Sequence, residues 1–412
     1  MRILVTGGAG FIGSHLVDAL AARGHKVRVL DNLEEQVHGG KQPAYLNREA
    51  EYFWGDVQDR EMLRKTLQGV EAVFHEAACV GVGQSMYQIE KYLSHNVLGT
   101  AVLLDVIVND RIPLAKLVVA SSMSIYGEGA YRCATCGPVH PSLRPERQLR
   151  EKRWEMTCPR CAEARGDASS SVSRCAEARG DASSSVSRCA EARGDASSSV
   201  SRCGKEVAPV PTPEEKPLAP TSVYAVSKRD QEEICLCVGR SYGIPTVALR
   251  YFNVYGPRQA LSNPYTGVCA IFSSRIKNGK PPLIFEDGRQ SRDFVHVSDV
   301  VQANLLALEN RKADFQALNV GTGRPTSILE IARTLAKQYG QKIEPELAQK
   351  FRAGDIRHCV ADISKIQALG FKPGVALEEG LRELTEWGQE EEALDRVEKA
   401  SGELEERGLT RG

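Results

Sequence analysis

The sequence predicts an α/β fold built around a doubly wound parallel sheet, and three observations carry that expectation. The chain opens on a β-branched apolar run, RILVT, which stops at a glycine-rich turn and gives way to a helical period in FIGSHLVDALAARG. Further short apolar runs, KVRVL, EYFW, VEAVFHEAA and AKLVVASS, then alternate with helix-like stretches, the pattern that folds as a parallel sheet with helices on both faces. At 412 residues and 42% hydrophobic content, the chain can bury one large core or two moderate ones.

Composition removes several function classes. Lys+Arg and Asp+Glu both total 53, so no general field draws in nucleic acid or an anionic membrane. The N-terminus lacks the apolar core of a signal peptide, and no run of about 18 apolar residues occurs. A cytoplasmic protein is expected, with neither nucleic acid nor membrane as partner. In that compartment twelve cysteines argue for metal ligation more than for disulfides.

The first turn, TGGAGFIG, has the chemistry of a phosphate cradle. Gly7 and Gly10 let the backbone turn tightly and approach a pyrophosphate, while Gly13 lets the helix lie close to the strand. The helix N-terminus adds N–H donors and a positive dipole. KVRVL ends at Asp31, at the distance where a carboxylate meets an adenine ribose and repels a 2′-phosphate, so NAD is expected rather than NADP. Gly55 and Asp56 follow EYFW at the carboxyl edge of the sheet. Asp56 either closes over the adenine or caps the next helix.

The run LVVASSMSIYG delivers Ser122 to a strand end, and PTSVYAVSK places Tyr224 and Lys228 four residues apart, on one face of a helix. A tyrosine hydroxyl titrates near pH 10, so it serves as a base at neutral pH only beside a cation. Lys228 and an oxidised nicotinamide supply that cation, and Ser122 hydrogen-bonds the reacting oxygen.

Six ordered blocks, TGGAGFIG, SSMSIYG with YAVSK, RYFNVYGPRQ, GRQSRDFVHVSDV, NVGTGRPTSILE and FRAGDIRHCVAD, run from Thr6 to Asp362 and carry a likeness that extends from Met1 to about Trp387. In them the chain resembles the extended short-chain dehydrogenase/reductases, in the NAD-dependent branch that epimerises nucleotide sugars, with likeness to both the UDP-glucose and the dTDP-L-rhamnose 4-epimerase groups. The resemblance implies a Rossmann-type sheet followed by a smaller C-terminal substrate-binding domain. It makes Ser122, Tyr224 and Lys228 catalytic. It places NAD against Gly7, Gly10, Phe11, Ile12, Gly13, Asp31, Asn32, Asp56, Val57, Ala77, Tyr224 and Lys228. It places a UDP- or dTDP-linked sugar against Ser122, Ser124 and Asn253, its phosphates on Arg292 and Arg352, and its ribose on Asp355. It also implies a homodimer paired through the helices that flank the Tyr-Lys segment.

One departure narrows the reaction. Sugar 4,6-dehydratases of this family carry an Asp-Glu pair directly after the catalytic hydroxyl residue, an acid and a base for eliminating water. Met123 and Ser124 stand there instead. Inversion at C4 through a 4-keto sugar on tightly bound NAD is the reaction that the resemblance implies. The alternatives are net oxidation or reduction of a nucleotide sugar, or a non-catalytic dinucleotide-binding regulator.

About a hundred residues separate Ser122 from Tyr224, where the resemblance implies a short loop. This insertion holds two CxxC hooks, Cys133-Ala-Thr-Cys136 and Cys158-Pro-Arg-Cys161, separated by 21 residues. Four thiolates suit tetrahedral zinc. From Cys161 to Arg202 one fourteen-residue unit, CAEARGDASSSVSR, is written three times; without it Arg160 would join Cys203 and restore a CPRCG knuckle. A zinc-ribbon-like site is therefore expected from Cys133, Cys136, Cys158 and either Cys161 or Cys203, with Cys175 and Cys189 as spares. The repeat is small, polar and Ser-rich, so a disordered loop is expected.

The expected organisation is an NAD-binding part over 1–130, the insertion over 131–210, the catalytic helix and return to the sheet over 211–250, a substrate part over 251–388 and a charged tail over 389–412. The insertion is expected as a flap near the substrate mouth, the tail as a solvated helix, and His296 as a structural residue.

Overall fold

The computed structural model describes residues 1–161 and 206–411. The repeats, with Cys175, Cys189 and Cys203, lie outside the described residues. The strands of the main sheet are β1 (Arg2–Thr6), β2 (Lys26–Asp31), β3 (Glu51–Trp54), β4 (Ala72–His75), β5 (Lys116–Ser122), β6 (Thr246–Tyr251) and β7 (Ala317–Val320). All seven are parallel, in the order β7-β6-β5-β4-β1-β2-β3. The larger helices are α1 (Phe11–Ala22), α2 (Gly99–Asn109), α3 (Val223–Tyr242), α4 (Val268–Lys277), α5 (Val297–Glu309), α6 (Ile328–Gln338), α7 (Leu377–Glu390) and α8 (Val397–Glu406).

Both faces of the sheet are buried, which is why its strands read as unbroken apolar runs rather than as alternation. Ile3, Val5, Val118 and Ala120 pack on one face with Leu16 and Leu20 of α1 and Val300 of α5. Leu4, Leu117 and Val119 pack on the other with Leu103 and Ile107 of α2 and Cys235 of α3. The doubly wound prediction holds. Chain order reverses on either side of β1, which opens a crevice at the carboxyl ends of β1 and β4.

A buried ion pair ties α3 to the sheet. Arg250 of β6 bonds Glu232 of α3 at 2.5 Å, Ser121 of β5 donates to the same carboxylate at 2.6 Å, and Arg250 donates to Tyr126 Oη at 2.7 Å.

After β6 a smaller mixed sheet forms from Asn253–Tyr255, Ser291–His296, Pro325–Ser327 and His358–Cys359. Its neighbours α4, α6 and α7 share a separate core with Tyr255, Phe272, Ile331, Leu335, Leu381 and Leu384. Leu283–Ile284 pairs with Glu346–Leu347, and the chain turns at Glu286, where φ is 57°. That left-handed residue is held by its carboxylate, which accepts both guanidinium arms of Arg144 at 2.7 and 2.9 Å. His296 caps α5 by accepting from the Ser298 amide, a structural role.

The insertion contributes a three-stranded antiparallel sheet, Gly137–Val139, Ala130–Cys133 and Ala208–Val210. The tail does not lie free in solvent as the sequence suggested. Ala400 and Leu404 of α8 are buried, and Thr410–Arg411 pairs antiparallel with Phe351–Arg352. Among the described residues no helix is long and apolar enough to cross a membrane.

Candidate active site

A cleft of about 630 Å³ follows the carboxyl edge of the main sheet and continues under the smaller one. At its first end Gly7 adopts φ +71°, and a Cβ there would lie 2.8 Å from Ala77 Cα. A Cβ on Gly13 would lie 2.2 Å from Gly7 O. Strand, turn and α1 therefore fit only as glycine, and Gly10, as the N-cap, leaves the first N–H groups of α1 without a side-chain partner. Phe11 and Ile12 line the cleft on that turn.

Asp31 ends β2 with its carboxylate fixed by the Ala9 and Leu33 amides at 3.0 and 2.9 Å. Asp56 accepts from Asn32 Nδ2 and from the Gln58 amide, both at 2.9 Å. The capping alternative for Asp56 falls away, because the next helix is capped by Asp59, which accepts from the Glu61 and Met62 amides. Val57 and Ala77 complete this wall. A backbone cradle without room for side chains, facing a fixed carboxylate, fits a dinucleotide.

In the middle of the cleft Ser122, Tyr224 and Lys228 come together from β5 and α3. Burial pushes the Tyr224 hydroxyl above its ordinary pKa, and a hydrogen bond with Ser122 pulls it back. Ser122 Oγ also accepts from the amide and hydroxyl of Ser124, at 3.1 and 2.9 Å. Lys228 lies beneath, donating to Ala120 O and Gln231 Oε1, both at 2.8 Å. Burial lowers its pKa to about 8, with Glu76 opposing the shift.

Toward the other end Asn253, Gln259 and Gln290 line the cleft, and each has a buried amide oxygen without a hydrogen-bond partner among the described residues. Buried acceptors are rarely left unmade, and an amide can present either its oxygen or its nitrogen to a ligand. Arg292 commits three of its five N–H donors to the carbonyls of Ser291, Ile356 and Arg357. Arg352 stacks on Phe285, 4.6 Å from the ring centre, and its Nε bonds Asp355 at 2.8 Å. The predicted substrate residues thus share one wall, although Arg352 and Asp355 are paired with each other.

A family model described as "NAD dependent epimerase/dehydratase family" matches residues 3–144 and 186–321. The chain belongs to that family. A dTDP-L-rhamnose 4-epimerase from Burkholderia thailandensis is 34% identical over 399 residues, 96% of each chain. The crystal structure of Thermotoga maritima UDP-glucose 4-epimerase with UDP-glucose is 31% identical, with TM-score 0.68, covering 94% of this chain and 99% of that one. The Thermus thermophilus UDP-glucose 4-epimerase complex with NAD is 29% identical, with TM-score 0.66, covering 95% and 99%.

For this epimerase-family member the structure adds residues that sequence reasoning missed. Asn96, inside a π-helical turn, accepts from the Cys79 amide at 2.7 Å and donates to Cys79 O and Ser227 Oγ, binding the loop after β4 to α3. Its signal was faint, an amide next to Ser94 and His95 at the start of the run NVLGTAVLL. The roof is α8, where Val397, Ala400, Ser401 and Leu404 line the cleft. Glu403 latches it by accepting from Tyr87 and Tyr265, each at 2.8 Å.

Glu76 also went unassigned. It lies on the cleft floor, accepts from Tyr251 Oη at 2.9 Å, and is pushed by burial to a pKa of about 7. Because its folded pKa is raised, the folded state is penalised only when the carboxylate ionises. Stability is full below pH ~4.5, falls as pH rises to about 7, and is flat above. Glu76→Gln lacks this loss. Urea unfolding should show the variant gaining on the wild type by on the order of 3 kcal/mol between pH 4.5 and 8. A pH-independent difference would contradict the assignment.

The insertion places the Sγ atoms of Cys133, Cys136, Cys158 and Cys161 within 4.8 Å of one another, with 3.3 Å between Cys136 and Cys161. Four sulfurs about 2.3 Å from one zinc would lie about 3.8 Å apart, so the donor set fits that ion. Among the insertion's described residues, 131–161 and 206–210, none lines the cleft itself.

Proposed function

We propose that the protein is an NAD-dependent nucleotide-sugar 4-epimerase acting on a UDP- or dTDP-linked hexose. The observation that carries this reading is the place of Tyr224, Lys228 and Ser122, midway between a dinucleotide cradle and a wall bearing Arg292, Arg352 and Asp355. Gly7, Gly10, Phe11, Ile12, Gly13, Asp31, Asn32, Asp56, Val57 and Ala77 hold NAD. When bound, NAD accepts a hydride from sugar C4 and returns it.

The chain supplies the proton chemistry and the grip. Tyr224 Oη removes the proton from the 4-hydroxyl, helped by the positive charge of Lys228 and by the Ser122 hydrogen bond, both of which favour the phenolate. Ser122 and Ser124 hold the reacting oxygen in line. Arg292 and Arg352 hold the diphosphate, Asp355 the ribose, and Asn253 the linking region, so the 4-keto sugar turns over without leaving. Tyr224 then returns the proton to the same oxygen, and the product would be inverted at C4.

The same reading assigns 1–130 and 211–250 to cofactor and catalysis, 251–388 to substrate, and 131–210 to a zinc-ribbon-like insertion held by Cys133, Cys136, Cys158 and Cys161. It makes the protein a cytoplasmic homodimer. Ile89 and Leu98, 50% and 51% exposed on the helical run that packs beside α3, support a pairing surface.

The test is proton NMR of the anomeric region during incubation with UDP-galactose and, separately, dTDP-L-rhamnose, without added cofactor. A second anomeric signal rising to a fixed ratio in one of them is expected. No new signal until NADH is added, followed by conversion that consumes it stoichiometrically, would replace epimerisation with net redox.

A further inference from the structure

The described part of the insertion packs against the residues that build the substrate wall. Arg357 is the centre of that contact, with its side chain fully buried. It donates to Glu155 of the insertion, to Glu286 at 2.9 Å and to Asp287 at 2.7 Å. Glu155 also reaches His358 Nε2 at 3.2 Å. Arg144, also from the insertion, grips Glu286 with both arms and donates to Asp355 O at 3.2 Å. Glu128, held by Tyr131 Oη at 2.6 Å, accepts from the amides of Arg357 and His358.

These gripped residues are the backing of the nucleotide wall. Glu286 follows Phe285, on which Arg352 stacks; Arg357 O and Ile356 O hold Arg292; Asp355 is the proposed ribose ligand. The gripping residues, in turn, sit beside the cysteines. Tyr131 is two residues before Cys133 on one strand, and Glu155 is three residues before Cys158. An ion shared by four thiolates would fix both segments relative to each other, and so fix Glu128 and Glu155 against Arg357.

We infer that the Cys-rich insertion is a metal-clamped brace that positions the nucleoside-diphosphate wall of the cleft, with Glu155, Arg144 and Arg357 as positioning residues. This rests on the zinc and nucleotide-sugar readings above. Removing the ion loosens the 352–358 segment and weakens nucleotide binding, while the dinucleotide cradle, built on β1, β2 and α1, keeps its NAD. Replacing Glu155 with Gln leaves Arg357 without one of its three carboxylates and does the same with the thiols intact.

The experiment measures zinc and NAD per chain on the full-length protein and titrates it with UDP and with dTDP by calorimetry, before and after zinc is stripped with a chelator. Glu155→Gln is measured alongside, in case stripping unfolds the chain. The expected result is about one zinc per chain, and at least tenfold weaker binding of the preferred nucleotide after stripping, restored by Zn²⁺, with NAD content unchanged. Glu155→Gln should show the same loss with its zinc retained. Affinity within twofold in Glu155→Gln, loss of NAD together with nucleotide in that variant, or far less than one zinc per chain in the purified protein would each overturn the brace. Zinc-loaded protein that binds neither nucleotide would overturn the nucleotide-sugar reading, and the brace with it.

Discussion

Tyr224→Phe should lose turnover by at least the 10²- to 10⁴-fold that a positioned acid-base group contributes, while keeping its NAD. The variant deletes one hydroxyl and leaves the ring, which packs edge-on against Tyr92 with ring centres 6.3 Å apart. The glycine cradle and the Asp31 carboxylate lie on other elements and are untouched. Initial rates, with NAD released on denaturation as the control, check the prediction. Near-normal turnover would remove Tyr224 from its role, and loss of NAD would make the effect structural.

Glu232→Ala should be among the most destabilising single changes, costing about 3–5 kcal/mol. It leaves the Arg250 guanidinium, only 6% exposed at its side chain, buried without its carboxylate, and it strips Ser121 Oγ of its acceptor. Ser121 precedes Ser122, so the loss reaches the strand end that carries the proposed catalytic serine. Urea unfolding compared with wild type reads the cost; an unchanged midpoint would mean that water or a neighbour compensates Arg250.

The cofactor end was legible because its constraints are local. Gly7 and Gly13 must be glycine for reasons within a few residues of themselves, and Asp31 stands at a strand end that a run such as KVRVL announces. The Tyr224–Lys228 pair was legible for the same reason, as i, i+4 spacing alone puts two side chains on one face. The substrate wall is different. Arg292, Arg352 and Asp355 meet across some sixty residues of chain, and only the family blocks joined them.

One expectation failed for a physical reason. The tail was read as solvated because charges dominate it, yet Val397, Ala400 and Leu404 recur at i, i+3 and i+7 and face the cleft. The insertion was expected near the substrate mouth from sequence order alone. What its described residues grip was not legible, because the long-range charge pairs Arg144 with Glu286 and Glu155 with Arg357 leave no periodic trace in a sequence.

The most direct test of the central claim is to run the epimerisation in D₂O and follow C4 by NMR. If hydride leaves C4 and returns to it on the opposite face while Tyr224 exchanges only the hydroxyl proton, the product keeps protium at C4. Deuterium appearing at C4 would contradict the account, because it would mean that the carbon-bound hydrogen is lost to solvent.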